Sequence, residues 1–151
     1  MSHALLAACG GFLVAVLWMD LMFDVQVLRK KDPLPEPVLD SIAAYYRRVT
    51  TEASPMGRLV AVVMAVAGAT VLLQLALGPA RWVSALSLLL LLPPLLLAQL
   101  RIFPAAVRLG AQRDARELQT RLARAICRDH LFCLAAMLLF TALQLGAAAG
   151  R

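Results

Sequence analysis

The chain has 151 residues, 62% of them apolar, and a mean hydropathy of +0.78, where soluble globular domains sit near ~45–50% apolar. That excludes an ordinary water-soluble domain. Fifteen basic residues against nine acidic give a net charge of +6, but the charge is gathered into two connections between greasy segments, so no nucleic-acid partner is expected.

Four stretches approach the roughly 20 apolar residues that a membrane-crossing helix needs. The first spans about residues 4–28. Ala7, Gly11 and Ala15 form a small-residue row on it, which lets another helix come close. Asp20 and Asp24 lie four apart on another face, with Cys9, Leu13, Val16 and Leu17. Arg29, Lys30 and Lys31 mark its end. Counting back at about 1.5 Å per residue, Asp24 lies roughly 6 Å and Asp20 roughly 12 Å inside. A carboxylate at that depth faces protein or a water-filled crevice, not lipid. Leu6-Ala7-Ala8-Cys9 has the form of a lipoprotein cleavage site, but no basic region with a full apolar core precedes it.

Prolines 33, 35 and 37 forbid a continuous helix after Asp32. Over residues 37–52, Val38, Ile42, Tyr45, Tyr46 and Val49 recur as one stripe. This predicts an amphipathic helix on the membrane surface, its tyrosines toward the headgroups. Ser54 and Pro55 supply an N-cap and a first-turn proline for the second span, residues 56–77. A short turn leads to the third span, residues 82–103. Pro93 and Pro94 remove two N–H donors inside it and predict a kink; Pro104 does the same near Arg101. Leu118, Leu122 and Ile126 repeat every four residues along a second basic amphipathic helix, residues 112–128. No Gly or Pro separates it from the fourth span, residues 130–149. Gln74 and Gln144 sit at matching depth in the second and fourth spans, placed to hydrogen-bond across the bundle.

The expected fold is therefore an all-α integral membrane protein, a single four-helix domain. Its topology follows from charge. Six basic residues lie in or beside the first long connection and seven arginines in or beside the second, leaving Arg81 and Arg151 for the other side. The positive-inside rule puts both connections in the cytoplasm and both termini outside. The expected location is the cell membrane, a bacterial inner membrane or its equivalent, with the basic connections against anionic lipid headgroups. Leu73-Gln74-Leu75 and Leu143-Gln144-Leu145 are a faint echo of an internal repeat.

Two carboxylates this close, poorly solvated, need a shared proton or a cation between them. Arg101 lies at a depth similar to Asp24 and is the expected partner. His130 opens the fourth span at the same level, and Tyr45 and Tyr46 lie just below. Asp20, Asp24, Arg101, His130 and Tyr46 are thus the candidate ligand- or ion-binding residues, with no catalytic residue assigned. Cys127, His130 and Cys133 at i, i+3 and i+6 spread over roughly 120° of helix and fit a tetrahedral metal poorly. No metal or other cofactor is predicted. The cysteines form no C-x-x-C pair, which argues against a disulfide or dithiol centre.

The leading expectation is a non-enzymatic accessory or assembly subunit, its bundle locked by an Asp20/Asp24–Arg101 cluster. The alternatives are a proton- or cation-coupled carrier using Asp20 and Asp24, and an enzyme acting on a lipid-like substrate at the cytoplasmic leaflet. Two interacting faces on the first helix call for self-association or a partner membrane subunit.

Overall fold

The computed structural model describes residues 2–52, 54–78 and 80–150. Among these there is no strand. Six α-helices follow in order: α1 Ser2–Asp24, α2 Glu36–Arg47, α3 Ser54–Leu77, α4 Arg81–Leu97, α5 Phe103–Ala111 and α6 Arg116–Ala149. A 3₁₀ turn, Val25–Val27, prolongs α1, and π-helical turns join α2 to α3 (Arg48–Glu52) and α4 to α5 (Ala98–Ile102). Four helical segments are long and apolar enough to cross a membrane: Ser2–Val27, Pro55–Leu77, Arg81–Ala111 and Arg116–Ala149. The predicted Ser54 cap and the Pro79 part of the predicted turn lie outside the described side chains.

The bundle is built around α6, which packs against α1 along its length and against α4, while α3 packs on α1 and α4. Helices α1 and α6 are antiparallel: His3 meets Gln144 at one end and Asp24 meets His130 at the other. They pack tightly at Gly10, where a Cβ would overlap the Thr141 hydroxyl and come within 3.1 Å of the Phe140 ring. The expected row is therefore displaced. Ala7 is buried, but Gly11 and Ala15 are exposed. Burial of Leu6, Cys9, Leu13 and Leu21 sets the inward stripe of α1, and Gly10 falls on it.

Two apolar cores stack along the bundle. Leu6, Leu13, Met64, Val71, Leu91, Met137 and Phe140 fill the middle of the spans. Leu21, Leu34, Ile42, Tyr46, Leu109 and Ile126 fill the arginine-rich end. Helix α2 contributes Leu39, Ile42, Ala43 and Tyr46 to that second core, packed on α5 and α6. This corrects the expectation that its tyrosines point to headgroups: the same stripe turns toward protein. Backbone contact forces the geometry, because a Cβ on Gly110 would lie 2.7 Å from the Arg47 nitrogen. Arg47 also donates from Nε to the Gly110 carbonyl (3.0 Å) and from Nη2 to Gln112 (2.5 Å).

Several arginines of the connections clip loops. Arg124 donates to the carbonyls of Val27 (2.9 Å) and Lys30 (2.7 Å) and to Asp32 (2.8 Å), capping the exposed carbonyls at the end of α1. Arg116 donates to the Leu34 carbonyl (2.8 Å), and the Leu34 N–H donates to Thr120 Oγ1 (3.1 Å). Arg108 holds Asp114 by two hydrogen bonds, 2.7 and 2.9 Å, which keeps that carboxyl below the ordinary range.

The second basic helix and the fourth span form one helix, α6, unbroken from Arg116, as the lack of Gly or Pro between them allows. The third span remains α-helical through Pro93 and Pro94, and its ladder widens further on. There the Phe103 N–H reaches back five residues to the Ala98 carbonyl. Each π turn is followed by a proline, Pro55 or Pro104, whose missing N–H breaks the regular ladder.

Candidate functional site

Helix α1 presents Asp20 and Asp24 on one face because four residues make about one turn. Asp24, its last residue, is 0% exposed. Its Oδ1 accepts the Tyr46 hydroxyl at 2.6 Å, and its Oδ2 accepts from His130 Nδ1, also at 2.6 Å. Asp20, one turn deeper, accepts the Tyr45 hydroxyl at Oδ1, 2.5 Å. Its Oδ2 lies 3.8 Å from His130 Nε2. Adjacent tyrosines splay by about 100° on a helix, so each reaches its own carboxylate. Tyr45 is held flat by stacking on Phe23, with centroids 4.1 Å apart and planes 11° from parallel.

The network assigns the histidine tautomer. Asp24 takes the Tyr46 proton donor on one oxygen and needs a second donor on the other, so Nδ1 carries hydrogen and Nε2 faces Asp20. A separation of 3.8 Å is too long for a direct hydrogen bond. Both phenols are pushed well above the ordinary tyrosine range, first by burial and then by the neighbouring carboxylates. They stay neutral donors.

The expected Asp20/Asp24–Arg101 contact is not formed. Arg101 Nη2 pairs with Asp129 at 3.2 Å, and Arg128 Nε approaches the same carboxylate at 3.4 Å. The Arg101 side chain is 53% exposed. The physical reason is local. Arg101 lies in the Ala98–Ile102 π turn, and one added residue in a turn rotates the rest of the helix by about 100°. Neutral phenols also satisfy a buried carboxylate without a second desolvated ion. Of the predicted residues, the structure thus joins Asp20, Asp24, His130 and Tyr46 and sends Arg101 elsewhere. It also brings in Tyr45, expected at the same level but not counted among the candidates; its signal was two adjacent tyrosines in one stripe, matched to two carboxylates one turn apart.

Beside the cluster lies a cavity of about 470 Å³. Small-molecule sites run to about 300–1,000 Å³. Leu13, Val16, Met64, Leu91 and Met137 make most of its wall apolar, and Asp20, Tyr46 and His130 give it a polar end. Both π turns border it, through Val49 and Thr50 and through Ala98, Gln99 and Ile102. Cys133 also lines the cavity, and Cys127, Cys133 and Cys9 are free and buried.

A second polar cluster closes the opposite end. Gln144, fully buried, meets His3 Nδ1 at 2.7 Å and donates to Ser87 Oγ at 2.6 Å. Gln74 donates to Ser2 Oγ at 2.7 Å. Each glutamine binds across the bundle, though not to the other, and together they tie α1, α3, α4 and α6 in register. The chemistry available at the first cluster is proton exchange: an imidazole oriented by a buried carboxylate, facing a second carboxylate at a cavity wall. Models of known protein families, curated proteins and solved structures give no match to this chain.

Proposed function

We propose that this chain is a multi-pass protein of the cell membrane, a bacterial inner membrane or its equivalent, and that it works as a proton-coupled carrier of a small amphiphile. The observation that carries the reading is the division of labour between the two carboxylates. Both oxygens of Asp24 are occupied by Tyr46 and His130, while Asp20 Oδ2 and His130 Nε2 face each other 3.8 Å apart beside an apolar cavity. A proton held there is displaced or exchanged when a ligand enters. The basic connections put the arginine-rich end in the cytoplasm, against anionic headgroups, with both termini outside. The polar end of the cavity then lies toward the cytoplasmic leaflet.

The test uses the purified protein in liposomes loaded with a pH-sensitive dye. Addition of a panel of cationic, neutral and anionic amphiphiles should move protons across wild-type vesicles for at least one class. Asp20→Asn should abolish that movement while eluting as wild type does. Wild-type flux in Asp20→Asn, or no flux for any class in wild type, removes the carrier reading.

A second reading has its own support. An accessory or assembly subunit needs a locked bundle, and Asp24 joins α1 to α2 and α6 with no oxygen left over. Helix α1 also keeps Gly11 and Ala15 exposed, a close-approach row open to a second copy or a partner membrane subunit. In that case Asp24→Asn disrupts assembly, and Asp20→Asn changes nothing.

A further inference from the structure

We infer that the cavity takes an organic monocation, a positive charge carried by apolar substituents. The inference rests on the amphiphile-binding reading above and names its ligand class. Its basis is the set of polar atoms at the cavity that remain uncommitted.

Three donors at the polar end of the wall are already in use. The Tyr46 hydroxyl donates to Asp24, and the Thr50 hydroxyl donates to the Tyr46 carbonyl at 2.6 Å. His130 gives its Nδ1 hydrogen to Asp24. Apart from Arg58 and the Gln99 side-chain amide, the polar groups left to face a ligand are acceptors. Among the described residues, Asp20 Oδ2 has no hydrogen-bond partner, and His130 Nε2 lies 3.8 Å away. In the π turn, the Phe103 N–H goes to the Ala98 carbonyl, and Pro104 has no N–H to offer. The Gln99 carbonyl thus loses its partners at both i+4 and i+5, and Gln99 borders the cavity.

Charge points the same way. Two carboxylates share one imidazole, so a negative charge remains when both are ionised and His130 is protonated. Arg101, which would neutralise it, is paired with Asp129. Phe103 brings ring surface to the same wall, a surface that attracts cations. Arg58 borders the cavity from α3 and is exposed. It opposes a positive ligand, which provides a test of sign.

The probes are labelled tetraphenylphosphonium and tetraphenylborate, alike in shape and opposite in charge, with the full chain in nanodiscs of zwitterionic lipid. Tetraphenylphosphonium should bind saturably. Asp20→Asn should weaken it at least about tenfold, and Arg58→Gln should tighten it by roughly two- to fivefold, as the two charges pull in opposite directions. Asp114→Asn, which removes an equal charge remote from the cavity, should leave it unchanged. Asp20→Glu, which keeps the charge, guards against a folding defect in Asp20→Asn by retaining more binding than the amide. The ligand class is overturned if tetraphenylborate binds as tightly, or if Asp20→Asn keeps wild-type affinity. Asp20-dependent binding of the anion alone removes the cation and spares the amphiphile site. No saturable binding of either probe removes both. Cation binding without proton movement removes the carrier reading and leaves the ligand class standing.

Discussion

Asp20 and Asp24 are the same residue type one turn apart on one helix, and the fold gives them different surroundings. Asp24 is enclosed, with two donors. The Asp20 side chain is 17% exposed and borders a cavity. Asp24→Ala should therefore destabilise strongly: it orphans the Tyr46 hydroxyl and the His130 N–H, at about 1–3 kcal/mol for each buried unsatisfied group. Asp20→Asn, which keeps an acceptor for Tyr45, should stay within about 1 kcal/mol of wild type. Unfolding in a mild detergent titrated with denaturing detergent reads both. The protein has two tyrosines, Tyr45 and Tyr46, and both sit in this cluster. Tyrosinate absorbance should thus be absent at pH 10, the ordinary midpoint of a phenol, and appear only on unfolding. A folded pKa raised above the unfolded one leaves stability intact below about pH 10 and erodes it as pH climbs beyond. Half-ionised phenol in the folded protein at pH 10 would contradict the buried hydrogen bonds.

At the scale of elements, two helical glycines look alike in sequence and differ in structure. A Cβ on Gly110 would lie 2.7 and 3.0 Å from the Arg47 backbone, whereas nothing lies within 4 Å of a Cβ on Gly11. Gly110→Ala must push α5 from α2 and should cost about 1–3 kcal/mol, the usual range for overpacking. It should also loosen the Tyr46–Asp24 bond that α2 carries. Gly11→Ala should lie within about 0.5 kcal/mol. A large loss from Gly11→Ala under the same detergent titration would mean that a partner helix sits on that face. The π turns belong to this scale as well. Both border the cavity and both precede a proline, so the irregularities that shape the site follow from two missing N–H groups.

For the whole molecule, the charge asymmetry is a statement about orientation. Arg113 is exposed in the arginine-rich connection, and Gly150 is exposed beyond the far end of α6. Single cysteines at these positions should react with a membrane-impermeant thiol reagent from opposite sides of intact cells: Gly150→Cys from outside, Arg113→Cys only after lysis. The native cysteines are buried and should contribute little background. Labelling of both from outside would reverse or break the topology on which the cytoplasmic-leaflet reading depends.

The helical class, four helices long and apolar enough to cross a membrane, and the pairing of Asp20 with Asp24 on one face were all legible in the sequence, because hydropathy and helical period are local properties. So was the need for a polar partner at that depth, since burying a carboxylate alone is prohibitive. The partner itself was not legible. Depth along the bundle favoured Arg101, but depth ignores rotation about each helix axis. The π turn at Ala98–Ile102 sets the rotation of Arg101, and the contact of Gly110 with Arg47 sets how α2 docks. Those two packing details decided that phenols and an imidazole, rather than a guanidinium, meet the carboxylates. They also left one carboxylate oxygen facing a cavity.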